Sequence, residues 1–153
     1  MGVYFENFFG VSGSDGPGPA AVLAALADLD IDLAIATHIN LQTFLQTCIK
    51  SPGKKYALVD NVCSDAQCEL GRWIYEKGQG RIGRLPGFTD LLGNHKMLHY
   101  AASNVIALSE AGKTAEAKSA LEGPLDTYLM AVVSNLLALR SAARSPSLGT
   151  AAS

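Results

Sequence analysis

Between Ala20 and about Ile49 the chain contains no Gly or Pro, and Leu23, Leu26, Ala34, Ile35, His38, Leu41, Leu45 and Cys48 mostly recur at intervals of three or four. That period matches one face of an α-helix and predicts a single long amphipathic helix, stopped by Ser51-Pro52-Gly53. A mostly polar stretch to Asn61 reads as a loop. Ser64 or Asp65 is placed to cap a second, short helix carrying Cys68, Leu70, Trp73, Ile74 and Tyr75, which is expected to end before Gly78 and Gly80. A third helix is predicted from Phe88 or Thr89 to Ala111, with Gly112 as its stop. A fourth runs from Thr114 to about Ala143, and Gly123-Pro124 within it should kink or divide it, because proline lacks the amide proton the helix ladder uses.

These elements make an all-α fold, an antiparallel four-helix bundle whose short extra helix carries Cys68. Residues 1–18, ending in Gly13 to Gly18 with repeated Gly and Pro, are expected to be a flexible leader, residues 19–143 the bundle, and residues 144–153 a disordered tail. Three of the five Phe lie at Phe5, Phe8 and Phe9, so the leader is either a docking segment or an apolar strip that packs back on the bundle. Asp28, Asp30 and Asp32 read as solvated positions without chemistry, since residues two apart do not share a helix face.

Composition supports one helical domain: of 153 residues 22 are Ala and 20 Leu, and only 17% are charged. A net charge of −2 leaves no basic surplus for a nucleic-acid backbone. The longest charge-free apolar run, near Leu129 to Leu139, is too short to span a membrane. The first eighteen residues hold no Lys or Arg, so the positive start of a secretory signal is missing and a cytoplasmic location is expected. Cys48, Cys63 and Cys68 are then an odd number of thiols in a reducing compartment, where metal binding, redox chemistry or burial is more common than disulfides.

There are three histidines. His95 and His99, four apart, project from one helix face and can bind one metal together. His38 falls on the inward stripe of the first helix, where a neutral imidazole needs both nitrogens satisfied. Cys68 lies at the start of the short helix, where free amides and the helix dipole favour thiolate. Each alone has an ordinary explanation as a core or surface group. Together, three imidazoles and one thiolate supply the ligand types and the number that tetrahedral zinc takes.

Cys68-Glu69-Leu70-Gly71-Arg72-Trp73, with His38 upstream and the pair His95-Lys96-Met97-Leu98-His99 downstream, resembles the bacterial chemoreceptor zinc-binding domain. The resemblance covers about Ala20 to Ala143 and implies a zinc ion held by His38, Cys68, His95 and His99, with Gly71 permitting close helix packing and Trp73 filling it. Where that family often has tryptophan, three residues after the first histidine, this chain has Leu41. Cys63 fits no family position; it reads as a loop or core thiol, or as a resolving thiol that could pair with Cys68 once oxidation releases the metal. The implied role is regulatory, with zinc occupancy or Cys68 oxidation altering bundle packing and the activity of a partner. A homodimer, and a chemoreceptor or diguanylate cyclase acted on in trans, are the implied partners. Carboxylates are expected to orient the imidazoles.

Two other readings stay open, a metal-free helical interaction module and a zinc-dependent enzyme. Against catalysis, Lys96 stands where the His-Glu-x-x-His metalloproteases have their general base, and a fourth protein ligand leaves no position for water, so no enzymatic activity is expected. Neither later histidine has a glutamate three residues before it, as di-iron bundles require. Gly78-Gln79-Gly80-Arg81-Ile82-Gly83 fits the dinucleotide fingerprint by letters only and is expected to be a loop. No Gly-x-Ser-x-Gly elbow occurs.

Overall fold

The computed structural model describes residues 17–54, 56 and 59–144. The predicted leader and tail therefore lie outside the described residues, apart from Pro17, Gly18 and Arg144. No strand occurs among the described residues, and none of their helices is long and apolar enough to cross a membrane.

The first predicted helix is in fact two, α1 (Pro19–Leu26) and α2 (Ile31–Lys50). The break is built by residues read from the sequence as inert. The Asp30 carboxylate accepts the Leu33 amide at 2.9 Å and starts α2 afresh, while Asp28 pairs with Lys77 at 2.9 Å and Asp32 with Arg140 at 2.7 Å. The loop after α2 contains a five-residue helix, α3 (Val59–Cys63).

The second bundle segment is longer than its glycines suggest. Cys68 is the N-cap of α4 (Glu69–Trp73), not part of its first turn, and the helix continues through a π turn at Ile74–Gly78 into α5 (Gln79–Ile82). The glycine-rich stretch expected as a loop is thus helical as far as Ile82. A Cβ on Gly78 would lie 2.4 Å from the Phe88 ring and 3.0 Å from Trp73, so this glycine is where two aromatic side chains press against the backbone. α6 (Pro86–Glu110) opens on a proline, which already fits the first helical turn, and is followed by Gly112 at φ +76°. α7 (Thr114–Ala120) and α8 (Asp126–Ala143) are joined by a second π turn, Leu121–Leu125. Pro124 sits inside that turn, so the helix absorbs the missing amide by widening, not by ending.

Side-chain pairings fix the directions of the segments. Gln42 meets Asp126 as Asp32 meets Arg140, so α2 and α8 are antiparallel. His38 meets His95 as the Cys48 carbonyl meets Ser109, so α2 and α6 are parallel. Cys68 lies near His38, and Arg81 reaches the Ala24 carbonyl, so the α4–α5 segment runs back along α2 and α1. The result is an up-down-up-down bundle around Leu45, Phe88, Leu91, Leu98, Leu125, Leu129 and Leu136, all at most 2% exposed. Each such side chain contributes about 1.5–3 kcal/mol by leaving water.

Candidate metal centre

The four sequence-predicted donors meet in the core of this bundle. His38 comes from α2, His95 and His99 from successive turns of α6, and Cys68 from the cap of α4; one ligand atom from each lies within 4.8 Å of all the others. Tetrahedral zinc with Zn–N near 2.0–2.1 Å and Zn–S near 2.3 Å separates its nitrogens by about 3.4 Å, and sulfur from nitrogen by about 3.5 Å. Here Nε2 of His95 lies 3.3 Å from Nε2 of His38 and 3.1 Å from Nε2 of His99. The Cys68 sulfur is 3.2 Å from His95 Nε2 and 3.8 Å from His38 Nε2. Four of the six donor pairs thus approximate the edges of a zinc tetrahedron, and the two between His99 and His38 or Cys68 lie within 4.8 Å.

The surroundings prepare the donors. Nδ1 of His38 lies 2.7 Å from the Ala34 carbonyl, one turn back on α2, and Nδ1 of His99 lies 2.7 Å from the Val62 carbonyl on α3. A proton on each Nδ1 donates to its carbonyl, leaving the Nε2 lone pairs aimed at the cluster. Main-chain carbonyls, rather than the expected carboxylates, therefore orient these two rings. Exposure is 4% for His38, 1% for His95 and 4% for His99. Burial lowers the basicity of all three, and that of His95 falls to about 2, with His99 and His38 adding to the effect. Neutral imidazole is the form that binds metal.

Cys68 departs from the expected helix-start thiolate. Burial pushes its thiol up, and the amides of Gly71 and Leu70 pull in the other direction without prevailing. Without a cation the sulfur keeps its proton, so a metal must displace it. The Gly71 amide donates to the sulfur at 3.2 Å. Gly71 also permits a closer approach than helix packing alone: a Cβ there would fall 1.6 Å from the Asp65 carbonyl oxygen and 3.3 Å from the His95 ring. Trp73 is 4% exposed, donates its indole N–H to the Ala25 carbonyl at 2.8 Å and meets Phe88 edge-on, tying α1 to the bundle.

Residues 38–106 match the family model of the chemoreceptor zinc-binding domain, an interval that contains all four donors. Over that interval the chain is similar to the chemoreceptor zinc-binding domain. No curated protein and no solved structure matches the chain. The matched family and the donor chemistry agree on zinc as the ion of this cluster.

A cleft of about 550 Å³ opens beside His38, Cys68 and His99, walled by Leu41, Phe44, Asn61, Val62, Gln67 and Arg72. Leu41 is buried against this wall. All three cysteines are free: Cys48 is buried, Cys63 is exposed at the end of α3, and Cys68 is half-buried. Sequence reasoning missed Ala34, Val62 and Asp65 around the site. The first two act through main-chain oxygens, which every residue type offers, so no residue pattern marks them.

Proposed function

We propose that His38, Cys68, His95 and His99 hold one zinc ion in a closed shell, and that the chain is a zinc-dependent regulatory module of bacterial signalling, in chemotaxis or cyclic-di-GMP control. The observation that carries this reading is the convergence of Nε2 lone pairs. Ala34 and Val62 commit the other nitrogens of His38 and His99, so these two Nε2 atoms are acceptors: that of His38 faces His95 at 3.3 Å and Cys68 at 3.8 Å, and that of His99 faces His95 at 3.1 Å. A cation between them turns mutual repulsion into coordination.

Zinc, when bound, supplies a cross-link between three bundle segments. His38 fixes α2, the two later histidines fix α6, and Cys68 fixes the start of α4, so losing the ion or oxidising the sulfur relaxes the packing among them. That relaxation is the signal passed to a partner, with a chemoreceptor or diguanylate cyclase in trans as the leading candidates. Four protein donors leave no position for a substrate water, which favours regulation over catalysis. A thiolate donor suits a reducing, cytoplasmic setting. Met97 and Tyr100, exposed on adjacent turns of α6, offer apolar surface that a second copy would cover in a homodimer.

Hydrogen exchange of the full chain with and without zinc tests this. Zinc removal is expected to raise exchange along α2, α4 and α6, and mild oxidant to release zinc while modifying Cys68 before Cys48. Identical exchange in the two states contradicts a sensor role; zinc retention under stoichiometric oxidant removes the redox part.

A further inference from the structure

The turn that delivers Cys68 is fastened at a point outside the ligand set. It begins at Ser64, whose carbonyl accepts the Gln67 amide at 3.2 Å, and ends where Cys68 caps α4. Between them Asp65 makes two contacts. Its carbonyl oxygen occupies the space left by the missing Cβ of Gly71, and its carboxylate accepts the hydroxyl proton of Tyr75. Tyr75 lies in the π turn Ile74–Gly78, whose last residue, Gly78, sits against Trp73 and Phe88. The π turn is therefore gripped by the aromatic core on one side and reaches back to the Cys68 turn on the other. Single π turns inside α-helices occur frequently at functional sites.

We propose that Asp65 and Tyr75 are positioning residues for the metal-binding thiol, holding the 64–68 turn so that the Cys68 sulfur stays at the three imidazoles. Neither residue touches the donors through its own hydrogen bond; both act through the turn. His38, His95 and His99 stand on long helices and keep their places without help of this kind. Cys68 is the one donor delivered by a turn, so its arm is the first to leave when the ion dissociates. Outer partners of metal ligands typically change affinity by about 10–100-fold. This inference rests on the zinc reading above.

The test uses the full chain loaded with zinc, and follows transfer of the ion to a chromophoric chelator in wild type, Tyr75→Phe, Asp65→Asn, Asp65→Ala and the Tyr75→Phe/Asp65→Ala double variant. Tyr75→Phe is expected to release zinc about tenfold faster, at the low end of the range for such partners. Asp65→Asn, which keeps an acceptor, should fall between wild type and Tyr75→Phe, and the double variant should be no faster than Asp65→Ala alone, because both changes break one bond. With cobalt in place of zinc, Tyr75→Phe should weaken the sulfur-to-metal charge-transfer band, which a purely structural role would leave unchanged. Wild-type release by Tyr75→Phe, an unchanged cobalt band, or multiplying effects in the double variant overturns the proposal while leaving the zinc site intact. A wild-type chain that takes up no zinc overturns the zinc reading, and this inference with it.

Discussion

Nδ1 of His99 lies 2.7 Å from the carbonyl oxygen of Val62, so a donor on α6 is tied to the five-residue helix α3. Metal on Nε2 makes the Nδ1 proton more acidic and the bond to the carbonyl stronger, and in return the bond holds the ring in its binding orientation. Replacing His99 with Ala should therefore do two things at once: zinc per chain falls well below one at equimolar metal, and amide exchange rises across 59–63. Mass-resolved hydrogen exchange reads the second effect. Loss of zinc with unchanged protection of α3 would show that the tie carries no load.

Removing zinc from the folded chain leaves buried imidazoles facing one another, and each unpaired buried polar group costs about 1–3 kcal/mol. For a chain of this length that corresponds to a melting temperature lower by on the order of 5–10 °C. The zinc-free chain should also be acid-sensitive. Burial lowers the folded basicity of the histidines, so below the ordinary value of 6.5 the unfolded chain binds protons that the folded one refuses. Stability is then full above 6.5 and declines as pH falls toward about 2, where His95 titrates in the folded state. Thermal melts of chelated protein between pH 7 and pH 4 measure this slope.

Gly78 and Gly80 lie two residues apart in the same helical segment and should respond oppositely to alanine. A Cβ at Gly78 meets Phe88 at 2.4 Å and Trp73 at 3.0 Å, an overpacking that costs about 1–3 kcal/mol. A Cβ at Gly80 meets nothing within 4 Å, so helix propensity alone acts and stabilises by up to about 1 kcal/mol. Denaturant midpoints of Gly78→Ala and Gly80→Ala give the two signs.

Tyr75 differs from an ordinary phenol. Partial burial, the hydrogen bond to the Asp65 carboxylate and that carboxylate's charge push it up to about 12 from 10.0. An acid whose folded value is raised supports the fold below its unfolded value and loses that support as pH rises from 10 through about 12. The phenolate absorbance of wild type minus Tyr75→Phe should accordingly rise near pH 12. A rise near pH 10 would mean that Asp65 does not hold the hydroxyl.

Helix existence and the donor set were legible because both depend on side chains: the three-to-four spacing of apolar residues, the pair at His95 and His99, and the Cys68 run with its glycine and tryptophan. What was hidden depends on the backbone or on distant partners. The break between α1 and α2 follows from Asp30 capping, which an uninterrupted apolar stripe masks. Gly78 and Gly80 suggest a stop, yet the segment stays helical to Ile82, and the space beside Gly78 is taken by Phe88, ten residues beyond it. The Cys68 thiol was expected to be acidic from its place at a helix start. Burial, visible only once α2 and α6 close around it, reverses that direction. The oxygens of Ala34 and Val62 carry no mark in the sequence.

Zinc-edge X-ray absorption on the purified, untagged chain tests the central claim most directly. About one zinc per chain is expected, with three nitrogen neighbours near 2.0–2.1 Å and one sulfur near 2.3 Å. A shell without sulfur, a shell containing a solvent oxygen, or a folded chain that takes up no zinc would contradict it.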